Sequence, residues 1–111
     1  MGRYHPPMPI QGPRHLFTAK GIADSPKEGG VFILWDGEEA IYIGRTGTAP
    51  QTIHAALTDH CDGAYGTCTQ FATHYSFEIM ARPAPREQEL MEEFGSAHGR
   101  LPRCQSVVRR G

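Results

Sequence analysis

A glutamate on the apolar stripe of a helix is the residue whose placement most asks for chemistry. Glu87, Leu90, Met91 and Phe94 fall at i, i+3, i+4 and i+7, one face of a helix, with Glu89, Glu92 and Glu93 toward solvent. A carboxylate on a buried stripe costs desolvation unless it is paired or binds a metal. The competing account is that the helix dipole stabilises Glu87 in the first turn, at the domain edge. A histidine is placed the same way: Ile53, Ala56, Leu57 and His60 make one helical stripe. His60, Cys61, Cys68, His74 and Cys104 could in principle hold zinc, but such sites take about four N/S ligands and announce themselves by close paired spacings. No such spacing is present, so no zinc is expected. His74 shares a strand face with Glu78; it either pairs with it or faces a cleft, and a satisfied structural histidine is the plainer account.

These residues need a scaffold, and its centre is the stretch Gly30 to Gly44. Two runs rich in β-branched and aromatic residues, Val31–Trp35 and Ala40–Ile43, flank Asp36-Gly37, a hairpin signal because both turn residues tolerate positive φ in a type I′ turn. Alternation groups Val31, Ile33 and Trp35 against Gly30, Phe32 and Leu34, and Ile41 and Ile43 against Ala40, Tyr42 and Gly44. Phe32 and Tyr42 then share a face. Thr48-Ala49-Pro50-Gln51 is a capping-box start for a helix ending at Asp62-Gly63. Residues 66–70 allow one further helical turn. Thr73–Met80 alternates as a third strand, its apolar set Tyr75, Phe77 and Ile79 turned to the core. Pro83 and Pro85 introduce a helix over about Pro85–Phe94, ended by Gly95 and Gly99. The expected fold is α+β: a three-stranded antiparallel sheet of Gly30–Trp35, Ala40–Gly44 and Thr73–Met80, with helices over Gln51–Cys61 and Pro85–Phe94 packed on it.

At 111 residues the chain is one small domain. Residues 1–28 read as a Pro/Gly-rich arm that lays one small element, around Leu16-Phe17-Thr18-Ala19, on the domain; residues 29–105 are the domain and 106–111 a basic tail. Eleven basic against twelve acidic residues give a formal net charge of −1, which argues against a strongly basic nucleic-acid binder while leaving room for a local patch at Arg100, Arg103, Arg109 and Arg110. Three cysteines without a C-x-x-C pair, no leading apolar region and no run long enough to span a bilayer point to a reduced, cytoplasmic protein with free thiols and no membrane contact.

The hairpin resembles the GIY-YIG nuclease superfamily, named for a pair of tripeptides on adjacent strands, here Gly30-Val31-Phe32 and Tyr42-Ile43-Gly44, followed by Arg45-Thr46-Gly47. Gly30, Tyr42, Gly44, His60 and Glu87 match in order. The segments from Gly66 to Tyr75 and from His98 to Cys104 resemble a subgroup of small bacterial members, so the resemblance covers Gly29 to Gln105. It implies a divalent-metal-dependent phosphodiesterase fold acting on DNA, with Glu87 as the ligand of Mg²⁺, since one carboxylate with waters and phosphate oxygens can suffice. Tyr42 and His60 would belong to the catalytic set. Three departures fall on that set: Phe32 replaces a tyrosine, Ala56 an arginine four residues before His60, and Gln105 a late asparagine. Phe32 cannot exchange a proton and Ala56 cannot neutralise charge. Arg45, or His54 on the following helix, would have to stand in for the arginine, although for both a plain surface role accounts for the residue. The resemblance thus implies either a pseudo-nuclease that binds nucleic acid or a protein partner, or an active endonuclease with a substitute arginine.

Overall fold

The computed structural model describes residues 13–48 and 50–106. The elements, in order, are β1 (His15–Leu16), α1 (Ala19–Ala23), β2 (Gly30–Asp36), β3 (Glu39–Arg45), α2 (Ile53–Cys61), α3 (Thr67–Gln70), β4 (His74–Ile79) and α4 (Pro83–His98). The sheet is antiparallel with four strands in the order β1-β4-β2-β3. The expected three strands are present with shifted ends. The fourth, β1, is the element contributed by the arm, together with α1, which Thr18 caps by accepting from the Gly21 amide.

The hairpin forms with a different turn. Asp36 pairs with Glu39, so Gly37 and Glu38 are the loop, and only Gly37 has positive φ, at 60°. A type I′ turn needs positive φ at both central residues; glycine at the first alone meets the II′ requirement. A bulge follows. Leu34 pairs with Tyr42 but Trp35 with Ala40, leaving Ile41 as the extra residue. The expected grouping of Ile41 with Ile43 is thereby broken: Ile41 and Tyr42 pack in one core, Ala40 and Ile43 in the other.

Both faces of the sheet are covered. On one, Phe32, Leu34, Ile41, Tyr42 and Tyr75 pack under α1 and α2 with Ile22, Ile53 and Leu57. On the other, Val31, Ile33, Trp35 and Ile43 meet Leu90 and Phe94 of α4. Double coverage explains why the alternation in β4 misleads. Ser76, on the face expected to be polar, is buried and accepts a 3.0 Å bond from Trp35 Nε1, while Ile79 at the strand end is exposed.

Helix ends also shift. α2 starts after Thr52, whose side chain accepts from Ala55 N at 3.1 Å, and Gln51 turns back to accept from Gly47 N, so Thr48 and Gln51 make no capping box. α4 starts at Pro83, runs through Gly95 and stops at Gly99, whose φ of 69° is the left-handed cap. Cys68 and Cys104 are joined by a disulfide, leaving Cys61 free. The expectation of three reduced thiols is overturned. The pairing spans 36 residues and is created by tertiary packing, which no local spacing announces. No helix among the described residues is long and apolar enough to cross a membrane.

Candidate functional site

The glycines of the two tripeptides are dictated by packing. A Cβ at Gly44 would stand 2.5 Å from Phe32 Cζ and 2.7 Å from Tyr42 Cε2, so glycine is what lets both rings lie over the strand. At Gly30 a Cβ would meet the Glu78 carbonyl oxygen at 2.0 Å. The strand ends are tied by Thr46, whose amide donates to Gly30 O at 3.0 Å and whose hydroxyl accepts from Gly30 N at 3.1 Å.

Beside them lies a cleft of about 470 Å³, lined by Phe32, Tyr42, Arg45, Gly47, Gln51, Ala56, His60 and Tyr65. His60 is nearly fully buried and fixed to α3 by a 2.8 Å bond between Nδ1 and Thr69 Oγ1. Its ring lies 4.4 Å from Tyr65, 4.9 Å from Tyr42 and 5.7 Å from Phe32, centroid to centroid. Helix, hairpin and loop thus deliver four rings to one wall. Tyr65 and Thr69 did not stand out in the sequence, and Gln51 did so only as a helix start; they lie in loops or a single helical turn, where periodicity carries no signal.

Arg45 is the arginine among the described residues that line this cleft. Its Nε donates to Glu87 Oε1 at 3.0 Å and its Nη1 to Thr46 O at 3.4 Å. Glu87 is accordingly not among the described residues lining the cleft; it stands behind Arg45, its side chain 13 % exposed against 38 % for the arginine. Of the accounts of Glu87, paired, metal-binding or held by the helix dipole, an ion pair with Arg45 is what is observed. The expectation that Phe32, Tyr42, His60 and Glu87 share one cleft is met by the first three only.

A divalent cation at Glu87 would have to share the carboxylate with Arg45. A guanidinium already occupies one carboxylate oxygen, and a divalent cation would face that positive charge. Among the described residues no group of three or more His, Cys, Asp or Glu side chains converges as a metal-ligand set.

The other candidates have structural attachments. His54 Nδ1 lies 2.9 Å from Ser25 Oγ and 3.0 Å from Ile22 O, tying α2 to α1. It is half-buried, not a surface residue, and it does not line the cleft. His74 contacts Thr73 Oγ1 at 2.9 Å and does not pair with Glu78, which Arg86 takes at 2.8 Å. Arg86 also bonds Glu89 and lies 3.9 Å from Glu93; the Glu78 hydrogen bond is the main reason its basicity rises. Burial raises the Glu93 carboxyl, against the pull of Arg86. Burial, then the charge of Asp62, pushes the Cys61 thiol up. No family model matches the chain, and no curated protein matches it significantly.

Proposed function

We propose that the chain is a GIY-YIG-type domain with an incomplete catalytic set, which uses the cleft to bind nucleic acid or a protein partner and does not cut. The observation that carries this reading is the bond between Arg45 and Glu87. The one glutamate matching the metal position is paired with Arg45, which among the described residues is the arginine lining the cleft. The neighbouring losses point the same way: Ala56 and Phe32 line the cleft where the resemblance calls for an arginine and a tyrosine. Tyr65, half-buried over the fully buried Tyr42 and His60 rings, and the Arg45 guanidinium beside it suit a ligand that stacks and carries negative charge, and among candidate partners nucleic acid has both properties.

A second reading has its own observation. Arg45 lines the same cleft as Ala56, so it is placed to supply the missing positive charge, and a substrate phosphate could draw it off Glu87. On that reading the domain is a divalent-metal-dependent DNA endonuclease.

One experiment separates them. Supercoiled plasmid incubated with the chain and Mg²⁺ should remain uncut, while a fluorescent single-stranded oligonucleotide should gain anisotropy at low salt and lose it with Arg45→Gln. Strong Mg²⁺-dependent cleavage, abolished by Glu87→Ala, would establish the enzyme instead. No anisotropy change at any salt would leave a protein partner as the occupant.

A further inference from the structure

β3 is an edge strand, and its outer peptide groups are covered by the chain's own C-terminal segment. Cys104 N donates to Ile41 O at 2.8 Å. Gln105 then imitates a strand with its side chain: Oε1 accepts from Ile43 N at 2.9 Å and Nε2 donates to Ile43 O at 2.8 Å. Further out, Arg103 bonds Asp36 and Glu39, both at 2.9 Å, and Arg100 lies 3.6 Å from Glu39. These ion pairs are about half exposed, and such pairs contribute little and weaken with salt. Three hydrogen bonds of modest net worth and the burial of Pro102 and Cys104 oppose the backbone entropy the segment would regain on release. To these is added one covalent bond, Cys68–Cys104, which ties the segment to α3.

We propose that this disulfide is a redox-operated latch: oxidised, it holds residues 100–106 over the edge of β3; reduced, it lets them go. The inference does not depend on what the cleft binds. Cys104 is fully buried and Cys68 partly exposed, so an incoming dithiol attacks Cys68 Sγ. A sulfur–sulfur bond forms to the reductant, the Cys68–Cys104 bond breaks, and Cys104 leaves as a thiolate that takes up a proton. The second thiol of the reductant then displaces Cys68, so the reductant is oxidised to its disulfide and the chain gains two electrons and two protons. Cys61, whose thiol burial keeps protonated, is a poor competitor for exchange. Release has two consequences. The peptide groups of Ile41 and Ile43 become an open strand edge, and Ile43 loses the clamp that fixes it between Tyr42 and Gly44, directly beneath the cleft wall.

The test uses the full chain purified without reductant. Alkylation in denaturant should add one label per chain, and three after dithiothreitol. Amide hydrogen exchange by NMR should speed up at Ile43 and Cys104 by about tenfold or more on reduction, the loss of one to two net hydrogen bonds, while Leu34 in the central strand keeps its rate. Gln105→Ala in the oxidised chain should release the Ile43 amide alone, with the disulfide intact. Three labels without reductant would overturn the latch, as would unchanged Ile43 protection on reduction. Equal acceleration at Leu34 would also overturn it, making the disulfide a staple of the whole fold.

Discussion

If the Arg45–Glu87 bond is what denies Glu87 to a cation, cutting it from either side must have unequal consequences. Arg45→Gln takes the charged donor away from Oε1 of a carboxylate whose side chain is only 13 % exposed, a loss of about 2 kcal/mol for a mostly covered acceptor. Glu87→Gln leaves a 38 % exposed guanidinium that water can solvate, and keeps a neutral acceptor, so about 1 kcal/mol is expected. The cycle closed with the double variant should give a coupling of about 1 kcal/mol, shrinking with salt. In urea unfolding these differences move the midpoint at unchanged slope. The cation readout is separate. Removing one positive charge roughly 5 Å from a divalent ion is worth about 1.7 kcal/mol even at the dielectric of water, more than tenfold in affinity. Mn²⁺ should therefore broaden the NMR signals around Glu87 in Arg45→Gln at concentrations at least tenfold below those needed for the unmodified chain, and should not do so in Arg45→Gln/Glu87→Gln. Equal broadening in the unmodified chain and Arg45→Gln would refute the reasoning, because the guanidinium would then be no obstacle to a metal.

Gly44→Ala should destabilise by about 1–3 kcal/mol in urea titration, because its Cβ has no room against Phe32 and Tyr42; a neutral result would mean that the rings are free to move. Tyr75→Phe should cost about 1 kcal/mol at pH 7 through the lost 2.7 Å bond to Gly21 O. Burial holds the Tyr75 phenol above its ordinary value of 10.0, so the folded chain should lose stability as pH rises from the unfolded-state value through the folded one; melts across that range should fall less steeply for Tyr75→Phe. Phe32→Tyr with Ala56→Arg should raise any trace Mg²⁺-dependent cleavage by about 10²–10³ if lost charge stabilisation decides activity. Thermal melts must show that the new side chain has not cost about 1–3 kcal/mol in strain.

Much of the scaffold was legible because its signals are local. Alternating apolar runs around Asp36-Gly37 announce a hairpin, and the stripes through Leu57 and Leu90 announce α2 and α4. The errors lie where a long-range contact overrides a local rule. The bulge at Ile41 reverses side-chain parity at one end of β3, and Ser76 is buried because α4 covers the face that alternation assigns to solvent. β1 is two residues long and exists through its pairing with His74 and Tyr75. Gly95 reads as a stop, yet α4 passes through it to Gly99. The disulfide and the Arg45–Glu87 pair join residues 36 and 42 positions apart, beyond any spacing rule.

The position of Arg45 is where the two faces of the sheet come together. As the last residue of β3 it lies where the sheet ends, so its side chain can line the cleft on the α2 face while bonding Glu87 on α4. Those two contacts are not rivals. An arginine in water carries many rotamers, and a ligand that captures it must offset that freedom. Here Nε is held by Glu87 and Nη1 by Thr46 O, so the orientation is set before a ligand arrives, and the second guanidinium arm keeps its donors for an anion. On the proposed reading, the bond that sets Glu87 against a cation is the same one that orients Arg45 for an anion. On this reading the glutamate still serves the cleft, as the residue that positions the cation. Glu87→Gln should then weaken oligonucleotide binding without abolishing it, whereas Arg45→Gln abolishes it, and identical losses in the two variants would show that the carboxylate acts on the ligand directly.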